Sequence, residues 1–522
     1  MTKTKSIVGG MTVLGLAGII CKLVGVMFSI PLTWLIGTEG LGIYQTVFPT
    51  YNLLLTVSSA GLPVAVSRMV SHYLAKDDPR SAKRVFHVAL CLLTALGLVC
   101  TILMLVGNGF LTARVDEPRA STGFYVIAPC LVVVCMLSAF RGFMQGQQNM
   151  APTAISQLIE QVGKVFVSLP LAYIGAQRDV AYGAAGALLG VTIVEAVALV
   201  YMMMLYVRRR SAFASIPQLS HDEPAAHSSL AVQLAKISVP ITIGACIVPL
   251  SQFIDSSMLI NRLVDAGIMR EEALSLYGIF SGMVIKLINV PTALALAVSM
   301  SLVPAISSAK AVNDEKSMQK QADLGLRFAF LIGFPCSIGM SLLSRPILAF
   351  FYEETISAEH LTVASELLSV SSLTVVLFTV VQATSSILQG LQKQRIPMYT
   401  LCVGVALKIL FNYVLVGIPG VDIHGAPVAS IICYSASMLP NLYYVCKYTG
   451  LKCNWMGWII RPGIATAAMG VVVWGMRELL PAGRFFTMLE IIVGVGVFAV
   501  AAVFFKAMTK DDFRALRRRR KA

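Results

Sequence analysis

Lys22 and Lys286 each stand in the middle of a long apolar run. A charge in hydrocarbon costs at least ~2.5–3.5 kcal/mol even on insertion scales, so each lysine needs a partner or a wet cavity. Two cations on separate apolar segments suit a shared cationic cavity that recognises an anionic group such as phosphate or pyrophosphate. Asn289 lies one turn beyond Lys286 and adds a neutral hydrogen-bonding group. The alternative is that each lysine meets a carboxylate or carbonyl for packing alone. Arg68, near the end of its run, either reaches the same cavity or snorkels to the interface. Arg141, similarly placed, is expected to snorkel.

Glu160 and Lys164 are spaced i,i+4, which lets them neutralise each other on one helix face. Such a pair is either structural or part of a proton relay. Lys408 and Asn412 repeat the spacing without the acid. Glu195 and Asp255 are further acids inside apolar runs, and Asp255 is the stronger candidate for a counter-ion or coupling-ion ligand. Glu490 is expected to face the appended helix pair, near Arg461. The eleven cysteines are scattered, with no CxxC pair and no Cys/His cluster at metal-ligand spacing. No catalytic residue, metal site or cofactor is expected; any energy source would be Na⁺, H⁺ or the membrane potential.

The segments that must position these groups are set by composition. Of 522 residues, 57% are hydrophobic and 13% charged; soluble domains carry about 25% charged residues. Apolar runs long enough to cross ~30 Å of hydrocarbon recur throughout. Fourteen spans are expected: 7–36, 41–70, 85–106, 123–143, 153–174, 181–206, 234–260, 273–306, 324–343, 361–387, 396–416, 426–445, 458–479 and 485–505. Over such lengths only helices satisfy their own backbone in lipid, so the fold is an all-α polytopic membrane protein with 14 transmembrane helices. Barrel strands would be about half as long and would alternate in polarity.

Basic residues predict the orientation. Lys76, Arg80, Lys83 and Arg84 share one short loop, Arg208, Arg209 and Arg210 open another, and Arg517–Lys521 form a basic tail. The positive-inside rule places these segments, and both termini, in the cytoplasm. No aromatics interleave the tail arginines, so anionic membrane lipids rather than nucleic acid are the expected partner.

The chain also repeats itself. Met144-Gln145-Gly146-Gln147-Gln148 with Pro152 resembles Leu388-Gln389-Gly390-Leu391-Gln392 with Pro397. Lys164 pairs with Lys408, Gly183 with Gly425, and Ala65-Val66-Ser67 with Ala297-Val298-Ser299, at offsets of 244, 242 and 232. An even number of spans separates the copies, which predicts two parallel six-helix lobes plus two C-terminal helices. The expected divisions are an N-terminal lobe (1–207), a cytoplasmic linker (208–233), a C-terminal lobe (234–447) and an appendage with the basic tail (448–522). Lobes so related place a substrate site between them and move by rocking.

Six-plus-six-plus-two spans, a Gln-Gly-x-Gln turn after spans four and ten, and a cationic first helix resemble the SpoVB/MurJ branch of the MOP exporter superfamily. The segments that carry the resemblance best are 61–71 (Gly61-Leu62-Pro63-Val64-Ala65-Val66-Ser67-Arg68-Met69-Val70-Ser71) and 140–152. The resemblance implies a flippase for a polyprenyl-pyrophosphate-linked saccharide such as lipid II, acting as a monomer in the bacterial cytoplasmic membrane. It also implies alternating access around a cationic cavity and a groove for the polyprenyl tail at spans 13 and 14. By the same resemblance Lys22 and Lys286 stand where MurJ-type proteins carry helix-1 and helix-8 arginines. Phe28, Ser29 and Thr56 stand where those proteins carry further charged residues.

Two other classes compete. A MATE-like cation-coupled multidrug antiporter needs a carboxylate-dominated cavity, whereas Lys22 and Lys286 lead this one. A membrane glycosyl- or phosphosugar transferase needs acidic clusters to hold Mg²⁺ against a diphosphate. Asp77-Asp78 and Asp511-Asp512 are short, charged-loop pairs that read as solvated surface.

Overall fold

A computed structural model describes residues 2–214, 227–481 and 483–508; within them the side chains of 2–19, 22, 23, 26, 209–214, 297, 298 and 300 are outside the description. The linker's centre and the basic tail therefore lie outside the described residues. The described residues contain helices and no strand. Among the described residues, thirteen helices are long and apolar enough to cross a membrane, against fourteen expected. The difference lies in Met27–Ala75, which counts once although Gly37 (φ 66°, ψ −173°) interrupts the helix Thr2–Ser59 between expected spans one and two. Glycine tolerates this left-handed φ because it has no Cβ.

The chain forms two compact units, Met1–Gly278 and Ile279–Ala522. The first has its core where Leu62–Ala75, Pro79–Val106, Ser121–Gly146 and Val180–Ala214 meet. Phe86 is its aromatic centre, with ring centroids 4.7 Å from Phe143, 4.9 Å from Tyr206 and 5.2 Å from Phe140. Lateral packing of this kind positions helices that lipid alone would not hold together. In the second unit the core runs from Leu302 through Val380 and Leu388 to Trp458, whose indole donates to Asp323 Oδ1 at 2.7 Å.

The seventh span, built from His227–Ala245 and Ile247–Asp265, belongs by contact to the first unit. A Cβ on Gly61 would lie 2.2 Å from the Ser238 carbonyl, and the Gly61 N–H donates to Thr242 Oγ1 at 3.1 Å. Farther along, Asn52 donates to Gln252 at 3.4 Å, and Tyr277 donates to the Gln45 carbonyl at 3.3 Å. Repeat and packing thus divide the chain differently: the repeat marks related segments, and contact groups span seven with the first six.

The Gln-Gly-x-Gln turns have the same geometry in each unit. Asn149 N–H bonds to Met144 O at 3.1 Å, and Lys393 N–H to Leu388 O at 2.8 Å. These are helix C-cap bonds in which Gln148 (φ 60°) and Gln392 (φ 59°) take the left-handed position. Gly146 packs on Val70 and the Ser67 carbonyl, as Gly390 does on Ile306 and the Val303 carbonyl. Those contacts set the offset between the second and eighth spans at 236 rather than 232, so the counterpart of Ser67 is Val303 and that of Arg68 is Pro304. Similar Ala-Val-Ser composition had drawn the sequence match four residues away.

The close approach at these turns makes a stability prediction. A Cβ at Gly146 or Gly390 would stand 2.7 Å from a branched side chain. Gly146→Ala and Gly390→Ala are each expected to cost about 1–3 kcal/mol by overpacking. Gly475→Ala, with open space around it in the helix Arg461–Leu479, is expected to be neutral or stabilising by up to ~1 kcal/mol. Thermal unfolding of the purified variants checks the opposite signs.

Candidate functional site

Within the first unit, spans four, five and six bring four ionisable side chains together. Arg141, on Ser121–Gly146, forms an ion pair with Glu160, on Ala151–Gly163, and its Nε donates to Ser156 Oγ at 2.9 Å. The Arg141 and Glu160 side chains are only 14% and 10% exposed. Lys164 Nζ lies 4.0 Å from Glu195 Oε1, on Val180–Ala214. The cluster is formally neutral. Beside it, the Cys21 thiol faces the Gln157 carbonyl at 3.6 Å, and the Tyr51 hydroxyl meets Cys130 Sγ at 3.2 Å.

This arrangement corrects two expectations. Arg141 does not snorkel; its planar fork takes Glu160 and Ser156 together. Glu160 and Lys164 do not serve chiefly each other: Glu160 pairs with Arg141 and Lys164 with Glu195. A π-turn, Lys164–Ser168, begins at the lysine and widens the helix there, so simple i,i+4 stacking gives way to pairing with the neighbouring span. Sequence held a signal for the first pair. Arg141 lies five residues before the end of Ser121–Gly146 and Ser156 five after the start of Ala151–Gly163, as facing residues of an antiparallel helical hairpin do.

Arg68 lies apart from this cluster. It is exposed on Leu62–Ala75 and lines an open cavity of about 380 Å³ with Ser67, Ser71, Gln145 and Gln148. Lys22 lies in the helix Thr2–Ser59, but its side chain is outside the described residues. Asp255 is buried in Ile247–Asp265, again within the first unit.

In the second unit Lys286 is half-buried one residue into the helix Ile285–Ala311, which follows a π-turn, Ile279–Val284. Asn289 is exposed on the same helix, and its carbonyl accepts from Thr292 Oγ1 at 2.9 Å. Lys408 is half-buried and Asn412 buried on Arg395–Leu415. Glu490 is buried, and the cation acting on it is Arg477 rather than the expected Arg461. Arg461 instead reaches the Lys506 carbonyl at 3.5 Å, because it sits at the opposite end of its helix, Arg461–Leu479.

One ordered contact set was not foreseen. Arg114, on the short helix Asn108–Val115, places its guanidinium 3.8 Å from the Phe253 ring centroid and donates to the Phe253 carbonyl at 2.9 Å. Burial lowers its pKa, and the ring face and carbonyl offset that loss of water. Asn261 donates to the Arg114 carbonyl at 3.2 Å, and Arg270 pairs with Asp116 at 3.4 Å. These bonds hold the loop after span three to the far end of span seven.

The architecture is that of a multi-pass membrane protein whose buried charges and intramembrane lysines suit transport rather than a soluble chemistry. A profile described as polysaccharide biosynthesis protein matches residues 7–310, and the MatE profile matches residues 240–414. The chain belongs to the polysaccharide biosynthesis protein family. It is 26% identical to the lipid II flippase MurJ of Bacillus subtilis (strain 168), over 84% of this chain and 82% of that protein. It is 24% identical to stage V sporulation protein B of the same organism, covering 97% of each chain. Among solved structures, lipid II flippase MurJ in an inward closed conformation superposes with a TM-score of 0.71 at 13% identity, covering 94% of this chain and 98% of that one. An inward-facing multidrug resistance MATE family transporter of the MOP superfamily gives 0.68 at 16% identity, covering 83% and 96%. The fold is that of the MOP superfamily.

Proposed function

We propose that this protein is a flippase that moves a lipid-linked, pyrophosphate-bearing cell-wall saccharide precursor, such as lipid II, from the inner to the outer leaflet of the bacterial cytoplasmic membrane. The observation that carries this reading is the similarity to the lipid II flippase MurJ over 84% of the chain, joined to lysines rather than acids at the centres of spans one and eight. Lys22 and Lys286 hold the pyrophosphate, with Asn289 donating to an oxygen beside them. Arg68 meets the incoming anion at the membrane face. The lobes 1–207 and 234–447 alternate access about the 208–233 linker, with both termini cytoplasmic, and the appended helices accommodate the polyprenyl tail.

Asp255 is the proposed ligand or counter-ion for a coupling Na⁺ or H⁺. Glu160 and Lys164 act as counter-ions to Arg141 and Glu195, and fix spans four to six as one block. The excess of cations inside the spans also lets the membrane potential bias the lobes, at ~2.3 kcal/mol per charge per 100 mV.

The test is transport in proteoliposomes. Fluorescent lipid II is expected to become accessible on the opposite leaflet only when the protein is present, and ethidium is expected not to be exported against a Na⁺ or H⁺ gradient. Ethidium export without lipid II movement would replace this reading with the drug antiporter that the MatE match also allows.

A further inference from the structure

We propose that the cavity beside Arg68 is a binding site for a phosphate group, carried either by an anionic lipid headgroup or by a soluble phosphate. The inference does not depend on what the protein transports. No described residue pairs with the Arg68 guanidinium, which is exposed and borders an open cavity. At about 380 Å³ that cavity falls within the ~300–1,000 Å³ of small-ligand pockets. Its other polar lining is neutral and able to donate: the hydroxyls of Ser67 and Ser71 and the amides of Gln145 and Gln148. Among the described residues no carboxylate lines it. A planar fork of N–H groups surrounded by hydroxyls and amides is the donor set that phosphate oxygens require.

Two comparisons within the molecule separate this site from a by-product of the fold. The matching turn of the second unit repeats the backbone, but the counterpart of Arg68 is Pro304, and the nearby Lys310 donates to the Leu391 carbonyl at 2.7 Å. The unpaired cation therefore exists in one copy only. In addition, Gln148 holds a left-handed φ of 60° that costs an L-residue ~1–2 kcal/mol and that glycine would relieve. Gln392 takes the same conformation (φ 59°) in the second copy, so the cap sets it in both; the difference is that Gln148 lies on the cavity wall with Arg68.

The surroundings favour an anion. The helix Leu62–Ala75 leads into Lys76, with Arg80 and Lys83 close behind in sequence. Two acids, Asp77 and Asp78, share that turn, and Asp78 caps the next helix by accepting from the Ser81 N–H at 2.9 Å. Val64 and Met150 add an apolar wall beside the polar one, as the glycerol and acyl end of a lipid would need.

The test uses the full chain, purified in detergent and stripped of phospholipid. Inorganic phosphate, glycerol 3-phosphate and dihexanoyl-phosphatidylglycerol are titrated by isothermal calorimetry, with Arg80→Gln as a control for general surface charge. At least one probe is expected to bind saturably to the wild type. Arg68→Gln is expected to weaken that binding about tenfold or more, and Arg80→Gln less than twofold. Binding by the soluble phosphates would assign a free-phosphate ligand; binding by the lipid alone would assign a headgroup. Gln148→Gly is the second variant, expected to unfold at a higher temperature without ligand yet bind several-fold more weakly. The proposal is overturned if no probe binds saturably, if Arg68→Gln binds as wild type, or if Arg80→Gln loses as much as Arg68→Gln. Gln148→Gly binding as wild type would overturn the role given to its amide.

Discussion

Replacing Glu160 by Gln is expected to destabilise the protein by about 3–5 kcal/mol, among the largest effects available to a single side chain in this fold. Glu160 is the carboxylate of a nearly buried pair, and its removal leaves the Arg141 guanidinium with Ser156 as its remaining partner among the described residues. The cost is mainly that of a charge stranded away from water, not the net worth of the bond. It follows that removing both charges should do less harm than removing one. Arg141→Met combined with Glu160→Met is expected to regain most of the loss, because a buried pair and a well-packed apolar pair are often similar in free energy. Unfolding of the single and double variants in detergent measures the coupling. If Glu160→Gln stays within ~1 kcal/mol of the wild type while transport loses its response to pH, Glu160 is a proton relay and the pairing described above is secondary.

That pairing also shows where sequence reading ran out. Apolar runs made the helices legible because lipid leaves the backbone no other way to satisfy itself. The Gln-Gly-x-Gln repeat was legible because a C-cap needs a fixed number of residues, and both copies keep the glycine that packs against the second or eighth span. Pairing across helices was harder. Glu160 has Lys164 four residues ahead in sequence, but an arginine fork on the adjoining helix satisfies it together with Ser156, and the π-turn at Lys164 shifts the helical register. The attachment of span seven to the first unit was invisible for a similar reason. It rests on close approaches, such as Gly61 against the Ser238 carbonyl and its N–H bond to Thr242 Oγ1, which leave no hydrophobic pattern. Arg68 stood open between snorkelling and binding. The cavity it shares with Gln145 and Gln148, more than seventy residues away in sequence, could not be read from its own segment.

Lys22→Ala and Lys286→Ala are each expected to reduce lipid II transport by about 10–100-fold, the kinetic equivalent of losing one hydrogen bond to a charged group, roughly 1.5–3 kcal/mol. Lys22→Ala should not lower stability, since an intramembrane lysine costs free energy where it stands. Transport and unfolding are therefore expected to move independently, in contrast to Glu160→Gln. Lys22→Arg and Lys286→Arg retain the charge and add a fork suited to phosphate oxygens, so they are expected to keep most of the activity. If both lysines bind one pyrophosphate, their effects must also couple: the double variant should lose less than the product of the two single losses. Multiplicative losses would mean two separate anion sites. Full transport in both alanine variants would leave the flippase standing and remove the lysines from its site, making Arg68 the first cation to test in their place.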